Sequence, residues 1–142
     1  MAAVARSLEL RTTREGEVVD ITDEVAAHVA SSGVQVGMAL VFTQSSTSAI
    51  TVLEHEPGLV QDLPAALDRL VPRHGAGVHY GHERMWGDGN GHSHVRAAML
   101  KPDLVVPVSG GRPVLGRWQQ IVFVELDVRP RDRVVHVHVV GE

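Results

Sequence analysis

The chain has 142 residues, 44% of them hydrophobic and 21% charged, with a formal net charge of −4. That size and balance describe one globular domain over residues 1–142, large enough to bury a core, and an acidic excess offers no basic footprint for nucleic acid. Cysteine is absent, which excludes disulfides and thiolate chemistry; no apolar run approaches the roughly 20 residues of a membrane span, and Arg6 comes too early for a secretory leader, so a cytoplasmic location is expected.

In chain order, Leu8 and Leu10 alternate with Ser7, Glu9 and Arg11, which predicts a half-buried strand from Arg6 to Thr12. A turn at Arg14–Glu17 then makes Val18–Ile21 its hairpin partner. Thr22 or Asp23 caps a short helix to Ser31, ended by Gly33. Residues 34–42 alternate as a long strand, 43–48 form a hydroxyl-rich loop, and 49–53 form another strand, ending in Glu54. Pro57 suits a first helical turn, and Leu59, Leu63, Ala66 and Leu70 give that helix its apolar stripe to Val71. A second helix-forming stretch ends at Leu100, with Asn90 or Ser93 as its N-cap. Strands follow at 104–108, 121–126 and 134–140, separated by Gly110–Gly111 and by a charged turn at 127–133. Seven or eight strands, about three helices and mostly hairpin-length connections predict an α+β fold with a mainly antiparallel sheet. The segments 34–42, 118–126 and 134–140 are expected to pair in that sheet, with helices 57–71 and 93–100 covering one face.

Polar chemistry concentrates in one stretch, Tyr80 to His94, which holds three histidines, two carboxylates, an arginine, an asparagine and four glycines. Glycine at this density permits tight turns and close backbone approach, and the stretch delivers its histidines to a helix N-terminus, where free N–H groups favour an anion. His82, His92 and His94 are candidate metal ligands, with Glu54 or Asp88 as oxygen donor, since three histidines and an open position make a catalytic zinc pattern. Positions 92 and 94 share a face if the backbone is extended. On a helix they lie about 200° apart and only one can reach the ion.

Other candidates are spread along the chain. Ser46 and Thr47 lie in a run of hydroxyls able to hold a phosphate, or simply to form a turn. Glu54 is a strand-end carboxylate suited to general-base or ligand duty, or merely a solvated acid. Trp118 either packs a core or stacks on a ligand. Arg131 either binds phosphate or pairs with Asp127 or Asp132. His136 and His138 share one face of the last strand, exposed or between subunits.

Three blocks of residues resemble the YjbQ family. Ser46-Thr47-Ser48-Ala49-Ile50-Thr51 with Glu54 to Leu59 is similar to its first block, and Asp88 to Ala97 to its second. Val106-Pro107-Val108, Leu115 to Ile121, Glu125, Asp127 and Pro130 to Arg133 are similar to its third. The resemblance implies a compact α+β homotrimer whose pocket is lined by histidines and acids. It further implies a weak, secondary thiamine-phosphate synthase activity, joining a hydroxymethylpyrimidine diphosphate to a thiazole phosphate with release of pyrophosphate. The alternative is a trimeric protein that binds a metal or a phosphorylated ligand without significant turnover. With this family reading, the polar loop's His82 joins Glu54 and His94, which fall on matching positions, as the residues expected to be catalytic. Ser46, Thr47, Asn90, Trp118 and Arg131 are expected to bind substrate, and His82, His92 and His94 to hold a divalent zinc or magnesium ion. Ser45 stands where many relatives carry a histidine, so one ligand of those relatives is missing here.

Overall fold

The computed structural model describes all residues, Met1–Glu142, as two antiparallel sheets packed face to face, with two of the helices outside the smaller one. The elements are β1 (Ala2–Arg11), β2 (Val18–Asp20), α1 (Thr22–Ser32), β3 (Val36–Thr43), β4 (Ser48–Leu53), α2 (Leu59–Leu70), α3 (Gly81–Met85), α4 (Gly91–Leu100), β5 (Asp103–Ser109), β6 (Arg112–Pro113), β7 (Gln120–Glu125) and β8 (Asp132–Gly141). The larger sheet has the order β1-β8-β3-β5-β6 and the smaller β2-β7-β4. The α+β class and the antiparallel pairing are therefore as the alternation predicts, with four helices rather than three.

Two pairings differ from expectation. The turn at 14–17 does not close a hairpin: β1 pairs with β8 along its whole length, and β2 crosses to the other sheet beside β7. Nor does residue stretch 118–126 join 34–42 and 134–140: β3 pairs with β8, while β7 is the centre of the smaller sheet. The reason lies in β7 itself. Ile121 and Phe123 face the larger sheet; Val122 and Val124 face the helices, and all four are fully buried. A strand covered on both faces needs a continuous apolar run rather than alternation.

The main core lies between the sheets, where Val135, Val137 and Val139 of β8 and Ala39 and Val41 of β3 meet Ile50, Ile121 and Phe123. Helix α1 adds Val25 and Val29 to this layer. A second core joins Ala49, Val122 and Val124 to Leu67 of α2 and Ala97 of α4. Gly37 and Gly141 oppose each other directly in the β3–β8 ladder, and a Cβ at Gly37 would lie 2.0 Å from the Val140 carbonyl oxygen. This layering matters for function because it hangs α4 and its polar N-terminal loop over one end of the β4–β7 pair.

Candidate functional site

Helix α4 begins where the sequence suggests, with Asn90 at the N-cap position, but the cap is made by another residue. The Asn90 side chain makes no capping bond. Glu83, on the short helix α3, accepts the N–H groups of Gly89 and Gly91 at 2.7 and 2.8 Å. The anion at this helix N-terminus is thus the protein's own carboxylate. Burial pushes Glu83 up, but the bonds from Gly91 and Gly89, aided by the charges of His74 and His82, outweigh it and hold its pKa below the ordinary value. The close approach of α3 and α4 depends on Gly91, whose missing Cβ would sit 2.7 Å from Tyr80 Cβ and 3.0 Å from Glu83 Oε1.

This arrangement brings His82 and His94 together, with ring centroids 4.5 Å apart. His82 Nε2 donates to Asp88 Oδ1 at 3.0 Å, and donor atoms of His82, Glu83 and Asp88 all lie within 4.8 Å of one another. Donors held about 2.0 Å from a tetrahedral ion are themselves about 3.3 Å apart, so the His82–Asp88 separation suits shared ligation. With Glu83 engaged in capping, His82 and Asp88 are the free members of that group, and His94 stands beside it with its ring against that of His82. Imidazole nitrogens beside a carboxylate suit zinc better than magnesium, which takes oxygen. His94 also lines a cleft of about 220 Å³ with Ser45, Ser46, Ser48, Ala97, Ala98 and Pro102.

His92 is not part of this group. Because α4 is helical from Gly91, His92 points the other way and is 2% exposed. Its Nε2–H donates to Glu15 Oε1 at 2.6 Å, and its Nδ1 accepts the His74 N–H at 3.4 Å. Both ring nitrogens are occupied, in a buried cluster where Glu15 also meets Arg73 at 2.7 Å and Arg96 at 3.8 Å. The expected three-histidine set is therefore a pair.

The remaining candidates divide between two ends of one strand. β4 runs from Ser48 beside the histidine cleft to Leu53 and is six residues long, a distance of about 20 Å for extended chain. Glu54 follows Leu53, exposed, at the far end. Trp118 lies at that end too, since Gln120 pairs with Leu53 and accepts the His55 N–H. Trp118 is 59% exposed, with Arg117 stacked on its ring at 4.7 Å. Neither residue is brought to the histidines within this chain.

Beside the cleft, Thr47, Asn90 and Arg131 converge on one buried carboxylate, Asp127. It accepts from Asn90 Nδ2 at 3.2 Å, Thr47 Oγ1 at 3.3 Å, the Val128 N–H at 2.8 Å and Arg131 Nε at 2.8 Å. Burial raises the Asp127 pKa, but the Val128, Asn90 and Arg131 bonds more than offset it and hold it below its ordinary 3.8. Next to it, Arg133 binds the fully buried Glu125 at 2.6 Å and the Ser45 hydroxyl at 2.6 Å. Both arginines are thus neutralised internally, and only Ser46 of the predicted substrate-binding set remains an uncommitted lining residue of the cleft. Sequence reading passes over Glu15 and Glu83 because their partners, His92 and the Gly89–Gly91 backbone, are set by tertiary approach and not by a motif.

These positions can be compared with known proteins. The family model described as UPF0047 protein YjbQ-like matches residues 6–142. A UPF0047 protein of Methanothermobacter thermautotrophicus is 41% identical over 142 residues, covering 100% of this chain and 95% of that one. The UPF0047 protein YugU of Bacillus subtilis is 31% identical over 138 residues, covering 96% and 98%. Among solved structures, a YbjQ-like protein of unknown function from Sulfolobus solfataricus superposes with a TM-score of 0.90 at 34% identity, covering 99% of each chain. A hypothetical protein from Aeropyrum pernix gives a TM-score of 0.87 at 31% identity, covering 98% and 99%. Matched in sequence along nearly its whole length and in fold across both sheets, the chain belongs to the YjbQ-like UPF0047 family.

Proposed function

We propose that this protein holds a divalent, zinc-like ion through His82, His94 and Asp88 and binds a small phosphorylated ligand in the adjoining serine cleft. The observation that carries this reading is the pairing of two imidazoles, 4.5 Å apart, with a carboxylate beside a cleft that His94 itself lines. Charge supports it as well. Arg131 and Arg133 are bound to Asp127 and Glu125, so the positive charge a phosphate needs has to come from the histidine site. Ser46 offers a hydroxyl to the ligand, and Asp127 fixes the loop that carries it through Thr47.

A thiamine-phosphate synthase-like reaction, as the family resemblance implies, is the second reading. In such a reaction the developing charge is on departing pyrophosphate, and cationic stabilisation is the main catalytic demand. A bound divalent ion would supply that charge; the chain's own residues would orient the phosphate groups and exclude water. Within one chain Glu54 follows Leu53 at the far end of β4 and takes no part at this site. Assembly as a homotrimer belongs to the same proposal and rests on the resemblance.

The test is calorimetric titration of zinc, then of inorganic pyrophosphate with and without zinc. Wild type should bind both, with pyrophosphate dependent on metal. His82→Ala and His94→Ala should each weaken zinc by about 10–100-fold or more while melting normally, since both side chains lie outside the two cores. Unchanged zinc affinity in both variants would remove the metal site, and metal-independent pyrophosphate binding would remove its link to the cleft.

A further inference from the structure

A cleft of about 390 Å³ lies between α2 and the Leu53 half of β4, and the histidine site makes no use of it. Its walls are Val52 and Leu53 of β4, Leu59, Leu63 and Ala66 of α2, and Leu100 of α4. The opening follows from how α2 is anchored. Leu67 is the helix's one buried residue and joins the second core. Pro64, three positions earlier on the same side, lies against the turn at Gly16, where an added Cβ would come 3.5 Å from the Pro64 Cβ. The helix is thus held along one side. Leu59, Leu63 and Ala66, at i, i+4 and i+7, form a second stripe that is only half-buried. An amphipathic helix ordinarily lays its whole apolar stripe on the core, whereas this stripe borders open space.

Two charges of opposite sign border the same cleft. Asp62 and Arg69 both line it, and neither forms an ion pair or a side-chain hydrogen bond within the chain. Seven residues make nearly two helical turns, so the two project from one side of α2, about 10 Å apart along its axis. Each sign suits its own end of the helix dipole, but the dipole does not require either side chain to line a cleft. We propose that this cleft binds a small zwitterion with an apolar body, its cationic group at Asp62 and its anionic group at Arg69. The volume lies in the range of small-molecule pockets, which combine mainly apolar walls with a few placed polar groups. The guanidinium can take a carboxylate through two parallel hydrogen bonds, and Asp62 can accept from an ammonium. Opposite charges at the two ends fix the direction of the ligand and disfavour a dianion. The apolar body has to span the separation of about 10 Å between them. Glu54 follows Leu53 directly, so the carboxylate that β4 carries away from the histidines stands next to a wall of this cleft.

The experiment is an amide chemical-shift titration of the full chain with 8-aminooctanoate, and with octanoate and octylamine, each of which lacks one of its charges. Wild type should bind the zwitterion about two- to fivefold more tightly than either analogue, the increment of one exposed ion pair, with shifts centred on α2 and the Leu53 end of β4. Arg69→Gln should abolish the preference over octylamine, and Asp62→Asn the preference over octanoate. Ala66→Phe fills the cleft and should weaken all three probes by at least about tenfold, as for a methylene-scale misfit in an apolar pocket. Should Ala66→Phe fail to fold, Arg69→Gln and Asp62→Asn still decide, because both side chains are exposed and outside the two cores. Equal affinity of wild type for the three probes, no binding of the zwitterion, or shifts confined to other elements would each overturn the proposal. So would a folded Ala66→Phe variant that binds as wild type does, or one that loses a subunit by light scattering, which would give the cleft to a second copy of the chain.

Discussion

At the residue scale, Gly91 decides whether the site can form. It starts α4, and any Cβ there would press on Tyr80 Cβ at 2.7 Å, Glu83 Oε1 at 3.0 Å and His82 Cβ at 3.2 Å. Alanine favours a helix interior over glycine by about 1 kcal/mol, but overpacking a tight contact costs about 1–3 kcal/mol, so crowding wins. Gly91→Ala should lower stability slightly in chemical denaturation and weaken zinc by more than about tenfold, because α3 carries His82 and must back away. Wild-type zinc affinity in this variant would mean that the α3–α4 contact does not position the histidine pair.

Between elements, Asp127 is the joint. It follows β7 and ties together α4 through Asn90, the β3–β4 loop through Thr47 and the β7–β8 connection through Arg131. Its folded pKa is depressed below 3.8. An acid of this kind binds its proton more readily when the chain is unfolded, so its contribution to stability is complete above the unfolded value and declines as pH falls through the folded one. Asp127→Asn keeps the shape, loses the charge-assisted bonds and should cost about 2 kcal/mol at pH 7. Between wild type and Asp127→Asn, the gap in urea midpoints should stay constant from about pH 7 to about pH 4, the ordinary aspartate range, and narrow progressively below it as pH falls toward the depressed folded pKa. A constant gap at all pH values would assign the effect to packing and not to charge.

Across the whole molecule, His92 is the pin that joins the β1–β2 connection to α4. Through Glu15 it draws in Arg73 and Arg96, and Arg96 also binds the Val71 carbonyl and Asp68 at 2.7 and 2.9 Å. Removing one member of a buried ion-paired group costs about 3–5 kcal/mol. His92→Ala should therefore lower the denaturation midpoint strongly while leaving zinc affinity within about threefold of wild type, as for a residue outside the ligand set. Loss of zinc binding with unchanged stability would return His92 to the metal.

The boundary between what sequence and tertiary structure decide follows from the range of the forces involved. Strand alternation in β3 and β8, the helix ended by Gly33, the apolar stripe of α2 and a helix starting within Asn90–Ser93 are local consequences of side-chain periodicity and backbone freedom. The sequence alone determined them, and with them the α+β class. The polar stretch from Tyr80 to His94 was legible as the candidate site for the same reason, since composition marks it directly. Strand pairing was legible only in part: β3 and β8 pair as expected, while β2 and β7 take partners other than those expected. β7 reads as one more strand of a single sheet until burial on both faces assigns it to the middle layer. Nor could the sequence divide the candidates: Glu54 and Ser48 are near neighbours in the chain, yet an extended strand puts them at opposite ends of the fold. Only the tertiary structure separated His92 from His94, gave the helix N-terminus to Glu83 and committed Arg131 and Arg133 to buried carboxylates. Each of those outcomes depends on partners set by the packing of separate elements, brought within hydrogen-bonding distance by burial of the two cores.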